Sequence, residues 1–293
     1  MKLAAVKLVF TSLAVAFLLY FGWESRALLG DILSSARPLP LVAAVLAWVF
    51  MHVLSPLFST LIFRARGYPL SFPTAARIHT ENLPARYLPG GIWHTVGRIA
   101  GFRALGIGKQ DIAVFVFLEN ALAVAVAFLI GGSLLTWFHG MNGWGRIAAF
   151  AAVGALALLL LSPLILRFRV LKSTGSFPAG QFVTSALLVA ISWCVGATAF
   201  VMYLSAFPGL ALQSSALETG AAYLFSWGVG FISVFAPQGI GVFEIVAADL
   251  VRGSGSLAGF AALLAGFRLV IGIADALAWC GGHFLPRSNS KDL

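Results

Sequence analysis

Residues 112–137 read IAVFVFLENALAVAVAFLIGGSLLTW, an apolar run whose only charged side chain is Glu119. A bilayer core of about 30 Å needs about 20 apolar residues in a spanning helix, so this run is long enough to cross it. Similar runs recur along the chain, at about 3–22, 39–63, 146–166, 182–207, 216–236 and 257–284, with a shorter one near 240–251. The pattern predicts an all-α, polytopic integral membrane bundle with seven or eight transmembrane helices.

The composition supports a single membrane domain. Hydrophobic residues make up 60% of the chain and charged residues only 10%, against roughly 25% charged in a soluble domain. We therefore expect one transmembrane domain over residues 1–286, followed by a short polar tail at 287–293, and no soluble domain. The N-terminus carries Lys2 and Lys7 ahead of an apolar run that ends near Phe21. No convincing cleavage site follows, which favours a retained first helix over a signal peptide.

The basic residues predict an orientation. The net charge is +9, but Lys and Arg lie between apolar runs, which argues against nucleic acid binding. One side would carry Lys2, Lys7, Arg64, Arg66, Arg77, Arg86, Arg98, Arg103, Lys109, Arg167, Arg169 and Lys172, and the other only Arg26, Arg37 and Arg146. The positive-inside rule then places the N-terminus and the long basic connection on the cytoplasmic side of the membrane. With eight crossings, the C-terminal tail is cytoplasmic too.

Two segments interrupt the apolar pattern. Residues 74–95 are too polar and too rich in Pro and Gly for an ordinary span, and residues 236–249 join a long helix to one too short to cross comfortably. Such backbone is tolerated at membrane depth only beside protein or a wet cavity, so both predict broken or re-entrant elements around a polar pocket. Their comparable places suggest an internal two-fold repeat with halves 1–175 and 176–286, and such paired interruptions are typical of transporters.

The first interruption has the composition of an anion site. Pro89 removes a backbone donor and Gly90 and Gly91 let the chain turn, so the next helix can begin with exposed N–H groups near the guanidinium of Arg86. The alternative is a juxtamembrane loop from which Arg86 extends to lipid headgroups. The candidate lipid-binding residues here are Glu81, Asn82, Arg86, Tyr87, Pro89, Gly90, Gly91 and Trp93.

The second interruption repeats this arrangement. Pro237, Gly239 and Gly241 precede a short helix that has Glu244 in its first turns. Glu244 either stabilises the N-terminus of that helix, or it faces the pocket, where it pairs with an arginine or exchanges a proton. The sequence leaves both open.

Several charged or polar side chains fall inside predicted spans: Glu119, Asn120, Asp249, Arg268 and Asp275. A charge at bilayer depth costs about 2.5–3.5 kcal/mol on insertion scales, so such residues normally face the bundle interior in pairs. Arg268 must find a carboxylate, with Glu119, Glu244 and Asp249 as candidates, either for transport or as a purely structural ion pair.

Residues 94–110 carry Arg98, Arg103 and Lys109 among apolar side chains. This pattern predicts a basic amphipathic helix lying on the anionic cytoplasmic leaflet. Arg98 is included among the candidate lipid-binding residues.

The sequence offers little support for enzymatic chemistry. The five histidines are scattered without ligand spacing, Cys194 and Cys280 lie far apart, and there is no P-loop. Gly239 and Gly241 follow a membrane helix rather than a strand, so they are not a dinucleotide fingerprint. We expect no cofactor, no metal and no catalytic residues.

The segments YLPGGIW (87–93) and PQGIGVFE (237–244) resemble the flippase-like transmembrane family, found as the membrane part of lysylphosphatidylglycerol synthase/flippase proteins and as stand-alone proteins. Gln238 stands where the family commonly has glycine. Synthase members carry a soluble aminoacyl-transferase domain after the membrane part, whereas this sequence ends at Leu293. The resemblance thus implies lipid handling without lipid aminoacylation.

The leading expectation is a lipid translocase that moves an anionic phospholipid or a lipid-linked phosphate between leaflets. Arg86 and Arg268 would neutralise the headgroup, and Glu244 would balance charge or couple to protons. The alternative is a non-transporting membrane subunit that presents lipid to, or scaffolds, a separately encoded transferase. An integral membrane transferase is disfavoured because no acid/base or metal constellation is visible. Expected partners are an anionic lipid and either such a transferase or a second copy of the chain.

Overall fold

The computed structural model describes residues 20, 23, 26–27, 30, 34–88, 92–165, 178–210, 212–233, 236, 239–251 and 257–285. Within these ranges the chain forms helices and turns and no strand. The α-helices are α1 (Pro38–Ala65), α2 (Phe72–Glu81), α3 (Trp93–Ala104), α4 (Lys109–His139), α5 (Trp144–Ile165), α6 (Ala179–Ser205), α7 (Ala216–Ile232), α8 (Val242–Val251), α9 (Leu257–Ala265) and α10 (Phe267–Gly282). Short 3-10 segments cover Leu83–Tyr87 and Pro208–Leu210.

Some predictions concern residues outside the described ranges. They are nearly all of the first predicted span, the basic residues of the N-terminus and of the connection after α5, and the polar tail at 287–293. At the two interruptions, Pro89, Gly90, Gly91, Pro237 and Gln238 also lie outside them.

Five segments are long and apolar enough to cross a bilayer: Pro38–Ala65, Lys109–His139, Trp144–Ile165, Ala179–Ser205 and Phe260–Gly282. Each overlaps a run predicted from the sequence, and the chain is an all-α membrane protein. Helix α7 has 17 residues, fewer than the predicted run at 216–236. The count of seven or eight crossings stays a prediction.

Helix α1 shows how these segments meet lipid. Val42, Leu46, Phe50, Val53 and Leu57 are all at least 42% exposed. Their spacing of three or four residues places them on one face of the helix. Exposing such a stripe to water costs about 25 cal/mol per Å² of apolar surface, a cost that hydrocarbon removes. The stripe is therefore a lipid-facing surface.

The chain divides into two compact units. The first unit contains the described residues of Met1–Trp48, Ala127–Ala152 and Cys194–Ile273, and the second those of Val49–Val126, Val153–Trp193 and Ala274–Leu293. Each unit contains residues from both sides of position 175, so neither corresponds to a predicted sequence half. The two-fold repeat stays a prediction.

An aromatic cluster forms the core of the first unit. The ring of Phe200 stacks on Tyr223 with 5.0 Å between centroids, and it meets the rings of Phe243 and Phe267 edge-on at 6.0 and 5.2 Å. Trp48 meets Phe267 edge-on at 5.4 Å. Such pairs contribute about 0.5–1.5 kcal/mol beyond the burial of their area. Phe243 directly precedes Glu244, and Phe267 directly precedes Arg268. The cluster therefore fixes α8 and α10 next to these two charged residues.

The second unit has its own aromatic core. Phe63, Phe102 and Phe115 lie 4.7–5.4 Å apart between ring centroids and join α1, α3 and α4. A buried ion pair lies nearby, because Nε of Arg66 is 2.8 Å from Oδ1 of Asp111. These contacts hold α3 against the second unit's core.

The turn before α8 requires glycine at position 239. Gly239 has a φ of +67°, and a Cβ there would come within 2.9 Å of the Gly230 Cα atom. We expect Gly239→Ala to lower the melting temperature in detergent, since left-handed backbone at a non-glycine residue costs about 1–3 kcal/mol before the clash is added.

Gly154→Ala is the matched control, because a Cβ at Gly154 meets nothing within 4 Å. Alanine favours a helix by about 1 kcal/mol over glycine, so this variant should melt at or slightly above the wild-type temperature. Equal melting temperatures for the two variants would show that the turn tolerates a side chain.

Candidate functional site

In the second unit, the 3-10 segment after α2 directs two side chains toward one carboxylate. Nη1 of Arg86 lies 3.0 Å from Oδ2 and 3.3 Å from Oδ1 of Asp275 on α10, and the hydroxyl of Tyr87 donates to Oδ2 at 2.9 Å. The side chain of Asp275 is 2% exposed, whereas that of Arg86 is 32% exposed. Protein therefore encloses the Asp275 carboxylate, whereas the Arg86 guanidinium is accessible from outside the protein.

A line of buried imidazoles leads to the same carboxylate. Nε2 of His52 is 3.0 Å from Oδ1 of Asp275, and Nδ1 of His52 is 3.0 Å from Nε2 of His79. Nδ1 of His79 is in turn 3.3 Å from the hydroxyl of Ser55. The contact between Nε2 of His52 and Oδ1 of Asp275 is within ion-pair distance. The four side chains form one connected polar line.

The hydrogen-bond partners of His52 and His79 are the basis for assigning the tautomers of these two rings. If His52 carries its proton on Nε2, toward the Asp275 carboxylate, its Nδ1 accepts from Nε2–H of His79, and Nδ1 of His79 accepts from the Ser55 hydroxyl. Burial, followed by the charge of Arg98, lowers the pKa of His79 well below its ordinary value. The His79 ring is therefore neutral at rest.

Arg98 contradicts its predicted place on the membrane surface. Its side chain is 3% exposed, and Nη1 lies 2.8 Å from Oε1 of Glu119 on α4. Nη2 donates to the Ser59 hydroxyl at 3.3 Å, and the guanidinium lies 5.0 Å from the centroid of the Phe115 ring. A guanidinium can leave water here because a carboxylate, a hydroxyl and a π face all receive it. On α3 it is Arg103 that is exposed.

The other described residues of the first interruption act locally. Glu81 bonds Arg77 one turn earlier, with 2.6 Å between Oε1 and Nε, and its side chain is 47% exposed. The amide of Asn82 donates to the carbonyl of Ile78 at 2.8 Å and closes the end of α2. Trp93, at the start of α3, is 46% exposed. Of the described candidate residues in this segment, Arg86 and Tyr87 are the two that bond the same carboxylate, that of Asp275.

In the first unit, Glu244 receives two donors. It is fully buried, its Oε2 accepts from the Gly241 N–H at 2.7 Å, and its Oε1 accepts from Nε of Arg268 at 2.6 Å. Of the three carboxylates considered for Arg268, Glu244 is its partner, and Glu244 also bonds the start of α8. Its place in a pocket and its exchange of a proton stay predictions. Because Gly241 has a φ of +84°, its N–H faces the first turn of α8 and can meet this side chain. The Arg268 side chain is 32% exposed.

The remaining polar residues in predicted spans differ from one another. The amide of Asn120 donates to the carbonyl of Val116 in its own helix at 2.7 Å. Asp249 is exposed and accepts from Nε1–H of Trp144 at 2.5 Å, which differs from the expected interior position. Asp249 lies in the last turns of the ten-residue helix α8, where an acid does not require burial.

Sequence reasoning missed His52, His79 and Asp275 as parts of a site. The signal was present for two of them, since His52 and Asp275 each lie within an apolar run long enough to span, where a polar side chain needs a partner. His79 gave no such signal because it lies in a polar segment. Only folding places these three residues, separated by up to 223 positions, in one line.

The fold and these two sites define an α-helical membrane protein with buried acid–arginine pairs. Among the described residues, no three His, Cys, Asp or Glu side chains gather as metal ligands. No protein-family model matches the chain, and no curated protein matches it. The likeness to the flippase-like transmembrane family therefore stays a resemblance carried by the two quoted segments.

Proposed function

We propose that the protein is a lipid translocase of the bacterial inner membrane that moves an anionic phospholipid or a lipid-linked phosphate between leaflets. One observation carries this proposal. In each unit, beside an interrupted helix, an arginine with a 32% exposed side chain is held by a carboxylate that is at most 2% exposed.

This geometry suits a headgroup that must be bound and then released. A phosphate competes well for a guanidinium, since both form charge-assisted and often bidentate hydrogen bonds. An unpaired arginine in the membrane costs about 2.5–3.5 kcal/mol on insertion scales, so the buried acid keeps the empty site neutral. Replacing a carboxylate by a phosphate conserves the number of ion pairs. The displaced carboxylate must then be neutralised or take other donors, because an unpaired charge is costly at this depth.

The topology is part of the proposal. The five long apolar helices, the shorter α7 and the apolar run near the N-terminus would give seven crossings, and α8 would give an eighth. The basic connections place the N-terminus in the cytoplasm. The interrupted segments around Arg86 and Glu244 are re-entrant and bring the headgroup sites to membrane depth. No nucleic acid and no catalytic step is involved.

The test is leaflet exchange in reconstituted vesicles. Phosphatidylcholine vesicles carrying a minority of NBD-labelled phosphatidylglycerol lose fluorescence when dithionite reaches the label in the outer leaflet. We expect the protein to make the inner-leaflet label accessible, and to act less on NBD-phosphatidylcholine, whose headgroup has no net charge. Folded protein that speeds neither this nor any other anionic lipid would refute the proposal. Copurification of a stoichiometric transferase would then favour the lipid-presenting subunit.

Arg86→Ala should weaken lipid affinity while the protein stays folded, because Asp275 keeps the Tyr87 hydroxyl and His52 as partners. A hydrogen bond to a charged group contributes about 1.5–3 kcal/mol, so we expect the lipid concentration for half-maximal exchange to rise about tenfold or more. Lys109→Ala removes an exposed positive charge from the start of α4 and is the control. If both variants shift the concentration equally, the effect comes from general surface charge.

A further inference from the structure

We propose that Asp275 takes up one proton for each anionic headgroup that binds Arg86, so that lipid movement is coupled to a proton gradient. The proton reaches Asp275 through Ser55, His79 and His52. This inference rests on the proposed translocase function and adds its energy source.

The contacts specify each transfer. A proton arriving through the Ser55 hydroxyl bonds to Nδ1 of His79, and the proton on Nε2 of His79 passes across 3.0 Å to Nδ1 of His52. The proton on Nε2 of His52 then passes across 3.0 Å to Oδ1 of Asp275. Both imidazoles end neutral, and Asp275 has gained the single proton.

The surrounding charges direct the proton to the carboxylate. His79 is faced by Arg98 and Arg86 and by the rings of His52 and His94, and Asp275 is faced by His52, Arg86 and Tyr87. Two guanidinium groups near His79 disfavour an imidazolium there. The proton therefore does not rest on His79. It stays on Asp275 once a headgroup phosphate has taken the Arg86 guanidinium, because a cation held beside a carboxyl group favours its charged form.

Protonation of Asp275 changes what Arg86 can bind. The carboxylate holds Nη1 of Arg86 and the hydroxyl of Tyr87 at 2.9–3.3 Å. A neutral carboxyl attracts the guanidinium far less, so a lipid phosphate can take its place. Before the headgroup binds, the site is neutral because Arg86 is balanced by a charged Asp275. After it binds, the site is again neutral, because Arg86 is balanced by the phosphate and Asp275 is protonated. This balance sets about one proton per negative charge on the headgroup, because an unbalanced charge at this depth is costly.

The pair in the first unit does not serve this role. Glu244 is bonded by Arg268 and by the main-chain amide of Gly241. Neither a guanidinium nor a main-chain amide gives up its proton near neutral pH. Asp275, by contrast, ends a line of two imidazoles, and an imidazole can accept a proton on one ring nitrogen while it releases one from the other. Coupling therefore belongs to the Asp275 site.

The experiment uses the full chain in phosphatidylcholine vesicles with pyranine trapped inside and NBD-phosphatidylglycerol in the membrane. An acidic exterior is applied, and luminal pH and label position are followed together. We expect luminal acidification that requires the phosphatidylglycerol, about one proton per lipid moved, and accumulation of label in the inner leaflet. His79→Gln and Asp275→Asn should lower proton uptake to that of protein-free vesicles. In Asp275→Asn, any lipid exchange that remains should not depend on the pH gradient.

His283→Gln is the control, since His283 is exposed and bonds only the carbonyl of Trp279 among the described contacts. It should retain full coupling. Wild-type exchange that proceeds without proton uptake and ignores the gradient would overturn the coupling and leave the translocase intact. Absence of exchange with every anionic lipid would instead remove the proposed function, and the coupling with it. The wild-type measurement decides even if a variant fails to fold.

Discussion

Arg268→Ala is expected to reduce leaflet exchange of NBD-phosphatidylglycerol to the rate of protein-free vesicles. The substitution removes a guanidinium that is 32% exposed, which we propose binds the headgroup, and leaves Glu244 charged and 0% exposed. Removing one partner of a buried ion pair costs about 3–5 kcal/mol, so the melting temperature in detergent should also fall. Arg146→Ala removes an exposed arginine elsewhere and should change neither exchange nor melting.

A double variant separates binding from folding. Arg268→Gln with Glu244→Gln removes both charges together, so no buried charge is left unpaired, and the melting temperature should recover toward the wild-type value. Exchange should stay at background, because no cation remains for the phosphate. If exchange recovers with stability, Arg268 and Glu244 form a purely structural pair, and the headgroup is bound elsewhere.

Glu244→Ala is expected to abolish exchange by a different route. The carboxylate accepts from both Arg268 and the Gly241 amide, so its loss removes this ion pair of Arg268 and the side-chain bond to the start of α8. An unsatisfied donor costs about 1–3 kcal/mol, and the loss of the ion pair adds to this. Exchange in vesicles and thermal melting in detergent measure the two effects.

Glu244→Gln keeps an oxygen that can accept from Gly241 but removes the negative charge that competes with a phosphate. We expect this variant to melt close to the wild type, to retain more anionic lipid through purification and to exchange it slowly, because nothing displaces the headgroup from Arg268. Wild-type exchange rates in Glu244→Gln would show that the charge of this acid has no role in lipid release.

Parts of the site could be predicted because membrane insertion penalises isolated charge. Arg268 within an apolar run had to find an acid, and Glu244 was among three candidates. Arg98 shows the limit of this reasoning. Its surroundings in sequence resemble an amphipathic surface helix, and nothing local reveals that Glu119, 21 residues away, takes its guanidinium out of water.

The histidines show the same limit more strongly. The spacing of His52, His79 and Asp275 matches no short motif, so pattern reasoning treated the histidines as separate structural residues. Their 3.0 Å contacts exist because α1 and the polar segment of α2 pack against α10 in one unit. Contacts of this kind depend on which helix faces pack together, and hydropathy does not encode them.

The sequence alone determined that this chain is an α-helical membrane protein and where its helices are interrupted, because hydrocarbon imposes a length and an apolarity on every segment that crosses it. Only the tertiary structure decided which charged side chains form pairs. Burial makes that choice, since an acid enclosed by protein must take whichever donors the packed helices bring within about 3 Å. For Asp275 those donors are Arg86, Tyr87 and His52, and for Glu244 they are Arg268 and the Gly241 amide.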